Sequence, residues 1–455
     1  MQSAVASSKG ALGRTVMPPV RGLHHFAYKG RDAEETRHFY EDVMGFPLVH
    51  VSAQEADGRT ELVLTQERFA VGDPSPAPQT WQIPVALAPA DQSVPARTVL
   101  VAGEPARVSL PLRPGAAVKI NVGNTGYYRA SYSAPLAEAL AGNFALLSED
   151  DRVNLLADTW ALTESGRGEV GRYLELVARL PAGETSLAIW EQILRSLDRL
   201  ERIARGTPGK PAFDRWWTER LRGPFGQLGW QAKPGERSND GVLRSRMIMA
   251  LGLLGDPEIV TEAKRRFERF LREPDSLPGD LRTAVCRIAG WSADAITWEK
   301  LHALARGATS TEEQNRYYQA FEEVRDPALA RRTLALALSE ERGLAQWFNL
   351  VAHVARRHPE LAWNFARENS AALLAKVPAG GAFLTRNTYF PAIAENFSDE
   401  TRADELLALV SAKVGAAGAS EAAKSAENIR FKAELRARVM PAVDAWIAAK
   451  SSRLI

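Results

Sequence analysis

Apolar residues along the chain follow two rhythms. From Phe46 to about Tyr132 they fall in short alternating runs, FPLVHVSA, ELVLTQERF, WQIPVALA, RTVLVAG, ARVSLPL, AVKINV and YYRASY, separated by Gly, Pro and Asp. Runs at this spacing predict seven strands in a β-sandwich, with Asp57-Gly58 as the hairpin turn between the first two. After Ala134 the apolar spacing changes to three and four residues, as in SEDDRVNLLADTWALTES, LAIWEQILRSLDRLERIA and DPEIVTEAKRRFERFLRE. That spacing gives each helix one apolar stripe. Asp256-Pro257, Asp326-Pro327 and His358-Pro359 read as helix starts. The helices come in pairs with short connections, which predicts the stacked hairpins of a HEAT-like α-solenoid.

Ahead of the strands, LHHFAYK is aromatic and β-friendly, while DAEETRHFYEDVMG has acids in its first turn and Gly45 as a stop. Residues 22–45 therefore predict a strand followed by a helix. Residues 1–21 carry no periodic pattern and read as a disordered tail. The fold class expected is mainly α with a β-sandwich: a small N-terminal β-α fragment at 22–45, a seven-strand sandwich at 46–132 and a helical region at 133–455.

Composition narrows the function. Lys plus Arg is 57 against 55 for Asp plus Glu, a formal charge of +2, with no long run of one sign. Neither nucleic acid nor a charged membrane surface is an expected partner. No window approaches the ~20 apolar residues of a membrane span, so a soluble, cytoplasmic protein is expected. The single cysteine, Cys286, lies in an apolar-periodic segment and reads as a buried, inert thiol.

The histidines are His24, His25, His38, His50, His302, His353 and His358. A zinc peptidase helix needs two of them four apart, so that both face one ion, with a glutamate after the first. His353 and His358 are five apart, and the spacing fails. HVARRHPE reads instead as an exposed helix end whose cations suit the C-terminal dipole. No nucleophile elbow, phosphate-binding loop or dinucleotide fingerprint occurs. Trp216 and Trp217, among basic residues, read as helix-packing core rather than a stacking surface.

Two stretches resemble known families. Residues 22–45, with the pair His24-His25 ahead of the helix, resemble the opening strand and helix of a vicinal-oxygen-chelate module, the superfamily of glyoxalases and extradiol dioxygenases. That likeness implies His25 as a first metal ligand, but the pattern stops at Gly45, and one imidazole gives little affinity.

The longer resemblance runs from Phe46 to the end and is to the C-terminal half of the aminopeptidase N family of zinc aminopeptidases, including its endoplasmic-reticulum type. It is carried by LVLTQERF, WQIPVALA, NVGNTGYYRASY, LSEDDRVNLLADTWAL, LGWQAKPGERSNDGVLR, HPELAWNFAREN and AENIRFKAELRARVMPAVDAWI. The likeness implies a helical domain that closes over the catalytic cleft, its concave face meeting the distal part of a peptide. The family's H-E-x-x-H helix, distal glutamate, G-x-M-E-N loop and catalytic tyrosine precede the sandwich, and none occurs in this sequence. The expectation is therefore no catalytic residue, no zinc or other cofactor, and no activity for this chain alone. GFPLVHV fits both families and marks where the two patterns join.

Peptide contacts need guanidinium or hydroxyl donors. Arg386 and Tyr389 in LTRNTYFP, and Arg430 and Arg436 on the last long helix, are the candidates, with surface salt bridges or helix pairing as the alternative. Two function classes stay open. One is a non-catalytic scaffold that binds a peptide or protein. The other is a metalloenzyme completed by a separate catalytic chain or by self-association of the head as a homo-oligomer. Apolar faces that pack on a catalytic domain in the family predict a partner or aggregation.

Overall fold

A computed structural model describes residues 46–56, 59–72, 76–113, 115–341, 344–376 and 383–451. The 22–45 segment with His25, and the Asp57-Gly58 turn, lie outside them. All seven expected strands are present: β1 (Phe46–Ala56), β2 (Arg59–Phe69), β3 (Ile83–Pro89), β4 (Arg97–Val101), β5 (Ala106–Leu110), β6 (Val118–Ile120) and β7 (Arg129–Tyr132). Alternation decides which face each strand buries. Leu62 opposes Val108 and Thr60 opposes Leu110 across β2 and β5, while Ile83 opposes Val101 and Leu87 opposes Ile120 around β3, all of them buried. The strands form a four-stranded sheet, β5-β2-β1-β7, and a three-stranded sheet, β4-β3-β6. Val49, Leu62, Val85 and Val118 belong to one continuous core.

The rest of the described chain is helical: α1 (Ala134–Gly142), α2 (Glu149–Glu164), α3 (Val170–Ala178), α4 (Leu187–Ala204), α5 (Lys210–Leu228), α6 (Ser238–Leu253), α7 (Pro257–Arg272), α8 (Gly279–Trp291) and α9 (Ala295–Gly307). There follow α10 (Thr311–Glu322), α11 (Pro327–Ala335), α12 (Leu344–Ala355), α13 (Pro359–Glu368), α14 (Ser370–Ala375), α15 (Phe383–Ala394), α16 (Glu400–Lys413) and α17 (Ala419–Ser451). Asp256 accepts from the amides of Glu258 and Ile259, and Asp326 from that of Ala328, so two of the anticipated caps form. His358 makes no side-chain cap; its Nε2 bonds the Val324 carbonyl at 2.7 Å.

A buried polar cluster joins the strands to the first long helix. Lys119 on β6 donates to Asn154 Oδ1 at 2.7 Å and lies 3.7 Å from Asp151. Asp158, one turn along α2, accepts from Arg129 at 3.1 Å, from the Ala130 amide at 3.0 Å and from Asn154 at 3.0 Å. Burial brings the Lys119 pKa down to about 8 against the opposing pull of Asp151 and Asp158, and burial likewise raises that of Asp158. The connecting loop turns through left-handed backbone at Asn121, Gly123 and Asn124. Gly126 is required there, because a side chain would overlap the Tyr128 ring.

Helices α4, α6, α8, α10, α12, α15 and α17 touch in that order, and α17 returns to touch α4. They make a closed ring. Close packing shapes it locally: a Cβ at Gly290 of α8 would overlap the Ala320 carbonyl of α10. Closure itself is secured by cations on α17. Arg438 donates to the carbonyls of Thr163 at 2.8 Å and Glu164 at 3.0 Å, and Arg436 to that of Arg205 at 3.1 Å. These carbonyls end α2 and α4, where helix groups lack internal partners. Trp446 meets Trp216 edge-on at 5.2 Å, and Trp217 behind it is fully buried, as the packing reading expects.

Candidate functional site

The ring surrounds a cleft of about 990 Å³. Its lining includes the apolar Leu194, Met249, Leu253 and Phe348 and the amides Asn349, Asn396 and Asn428. Basic side chains dominate the remainder. The spacing of α4 places Arg195, Arg199 and Arg202 on one stripe, with Arg205 at its end. Arg246 comes from α6, Arg287 from α8, Arg356 and Arg357 from just past α12, and Lys432 from α17. These nine cations face five carboxylates, Glu191, Asp198, Glu201, Glu323 and Glu395. The excess is concentrated here, since the whole chain carries only +2.

Partners divide the cations into two groups. Arg202 pairs with Asp198 at 2.8 Å, Arg199 with Glu164 at 3.0 Å, Arg205 with Glu201 at 2.6 Å, and Arg287 with Glu323. Arg246 reaches Glu191 only at 3.9 Å. Arg195, Arg356, Arg357 and Lys432 form no ion pair with a carboxylate among the described residues. Arg195 has the Gln192 amide at 2.9 Å, and Lys432 donates to the Glu395 carbonyl. Burial lowers the Lys432 pKa to about 8 against the pull of Glu395, with Arg199 and Arg202 adding repulsion. Arg356 is exposed as a residue, yet the water displaced around its charged end lowers its pKa, with Glu323 opposing. Arg357, more enclosed, is lowered by burial first and then by Arg205.

HVARRHPE is more than an exposed helix end. His353 Nδ1 sits 2.6 Å from Oε2 of the buried Glu322, and Arg356 and Arg357 line the cleft. The local sequence suggested a dipole role because the acid that fixes His353 lies on another helix.

The four candidate peptide contacts are dispersed. Arg386 is exposed on α15 and Tyr389, three residues on, is fully buried against Trp347 at 5.5 Å and Phe390 at 4.9 Å. The Tyr389 hydroxyl has no hydrogen-bond partner among the described residues, and burial raises its pKa. Arg430 pairs with Asp404 at 2.7 Å. Arg436 does not line the cleft, but its two partners, Arg205 and Ser398, do. His25 lies outside the described residues. The cations that line the cleft were not singled out by sequence; the stripe Arg195, Arg199 and Arg202 was the one local signal for them.

The sequence profile of the ERAP1-like C-terminal domain matches residues 117–430, well over half of the chain and the whole of the ring as far as Arg430. The chain belongs to the ERAP1-like C-terminal domain family. Among similar proteins, aminopeptidase M1-A of Oryza sativa subsp. japonica is 28% identical over 74% of this chain and 40% of its own length. The mitochondrial aminopeptidase 2 of Saccharomyces cerevisiae is 23% identical over 89% of this chain and 42% of its own. Puromycin-sensitive aminopeptidase of Caenorhabditis elegans is 24% identical over 83% and 40%. The chain spans less than half the length of these relatives, and the likeness is to their C-terminal part.

Zinc, which the family's peptidases imply, does not fit the described residues. No group of three or more histidine, cysteine, aspartate or glutamate side chains among them could hold an ion, and the isolated Cys286 is buried with its pKa pushed up to about 12. No helix among the described residues is long and apolar enough to cross a membrane.

Proposed function

We propose that this chain is the peptide-enclosing portion of an aminopeptidase of the aminopeptidase N type, holding the distal part of a peptide in the ring cleft while amino-acid release belongs to a catalytic domain outside residues 46–455. The cleft carries the reading: a lining of apolar, amide and guanidinium side chains suits a peptide main chain and its terminal carboxylate. The boundaries belong to the same proposal, with a β-sandwich at 46–132 and HEAT-like hairpins at 133–455. Two sheets over one core favour the sandwich, and alternation of ring helices with outer ones favours the hairpins. The likeness of 22–45 to a vicinal-oxygen-chelate fragment, with His25 as its one ligand, stays part of this reading. So does a separate catalytic chain or a second copy as partner.

The test uses the whole chain, zinc, a panel of amino-acid anilides and an amino-terminally labelled peptide. Saturable peptide binding without anilide turnover is expected. Turnover that tracks the chain through purification would overturn the assignment as a non-catalytic portion, and absence of any peptide binding would overturn the holding role.

A further inference from the structure

We infer that the cleft selects peptides by charge, favouring acidic side chains in the segment it holds and rejecting lysine and arginine there. This rests on the peptide-holding reading above and adds a substrate class to it. Arg195, Arg356, Arg357 and Lys432 line the cavity without a direct ion pair to a carboxylate among the described residues, although Glu395 attracts Lys432 and Glu323 attracts Arg356 and Arg357 from farther off. Positive charge is costly to hold in a concave wall, where water is partly displaced and neighbouring cations repel. Lys432 is repelled by Arg199 and Arg202 while Glu395 attracts it, and Arg357 is repelled by Arg205 and Arg325 while Glu201 and Glu323 attract it. A carboxylate entering the cleft relieves that repulsion, and an incoming ammonium adds to it.

The spacing suits an extended chain. Along α4, Arg195 and Arg199 are separated by ~6 Å of helix rise, close to the ~6.6 Å between side chains on one face of an extended peptide. Two acidic residues in alternate positions can therefore lie along one stripe while Arg356 and Lys432 stand on other walls. A peptide fits better than a single-stranded nucleic acid. Stacking needs accessible aromatic platforms, whereas the lining rings are Phe348, half-buried, and Phe397, buried.

Three labelled peptides of about ten residues, amidated at the C-terminus and differing only in carrying Glu, Gln or Lys at two alternate distal positions, test this by fluorescence anisotropy with the full chain. The Glu peptide should bind about tenfold tighter than the Gln peptide, with the Lys peptide weakest, and the ratio should shrink on raising salt to about 0.3 M. In an Arg356→Gln/Lys432→Gln double variant, checked for an unchanged melting profile, the Glu-to-Gln ratio should approach one. If that variant unfolds, the salt series on the natural chain decides. Equal affinity for all three peptides would overturn charge selection and leave peptide holding intact. No binding by any peptide would overturn both. A single-stranded oligonucleotide that displaced the Glu peptide at lower concentration than unlabelled peptide would overturn the assignment of a peptide as occupant.

Discussion

Lys119 at the strand-helix junction and Lys432 in the cleft both have their pKa brought down to about 8 by burial, yet their surroundings differ. Lys119 is sealed, with Asn154 as an acceptor and Asp151 and Asp158 nearby. Lys432 lines an open cavity and has one carbonyl acceptor, with Glu395 attracting it and Arg199 and Arg202 repelling it. A buried charge enclosed by counter-charges and a side-chain acceptor is structural, while one beside open space whose acid neighbour is opposed by two arginines is available to a ligand. The pKa alone does not separate the two; the partners do.

Removing a partner at the junction should produce the largest effect. Asp158→Ala leaves Arg129, the Ala130 amide and Asn154 without their shared acceptor, which should cost about 3–5 kcal/mol in urea unfolding. Lys432→Met should cost less than about 1 kcal/mol. Similar losses in both variants would put the two lysines in one structural class.

Chemical reactivity sharpens the contrast at a smaller scale. A lowered pKa means that a large share of Lys432 amines is uncharged at pH 8, whereas an ordinary lysine is almost wholly protonated. Amine acylation followed by peptide mapping should therefore modify Lys432 about tenfold faster than an average surface lysine. Lys119, shielded by its enclosure, should react only in denaturant. Equal protection of both would mean that Lys432 is closed off as well.

The smallest expected effect is a pH signal from His358. Its folded pKa lies below 6.5, through burial first and then repulsion from Arg357 and Arg205. The unfolded chain therefore takes up the proton first on acidification. The contribution to stability is complete above the unfolded value of 6.5 and declines as pH falls through it. Arg357→Gln should shift the His358 titration, followed by NMR, upward. An unmoved titration would mean that burial alone sets it.

Much of the fold was readable locally. Period-two alternation marked all seven strands, and Asp256 and Asp326 cap as their sequence context suggests. Trp217 and Cys286 are buried where apolar spacing put them. Ring closure was not readable, because the carbonyls that Arg436 and Arg438 bind lie more than 200 residues earlier. The cleft cations were missed for a related reason. Arg246, Arg287, Arg356 and Lys432 each look like a surface residue in their own local sequence, and only tertiary packing brings them to one space. Tyr389 shows the converse, since its aromatic neighbours draw it into the core although Arg386 beside it stays outside.

Because α17 supplies the wall that meets α4, Arg436 must find the Arg205 carbonyl 231 positions earlier. Early helices can collapse on one another as they leave the ribosome, but the cavity has no last wall until residues 419–451 have been made. Ligand competence is then a late event in biosynthesis, and a nascent chain stalled before Arg436 would carry the basic stripe of α4 as open surface instead of as the inside of a vessel.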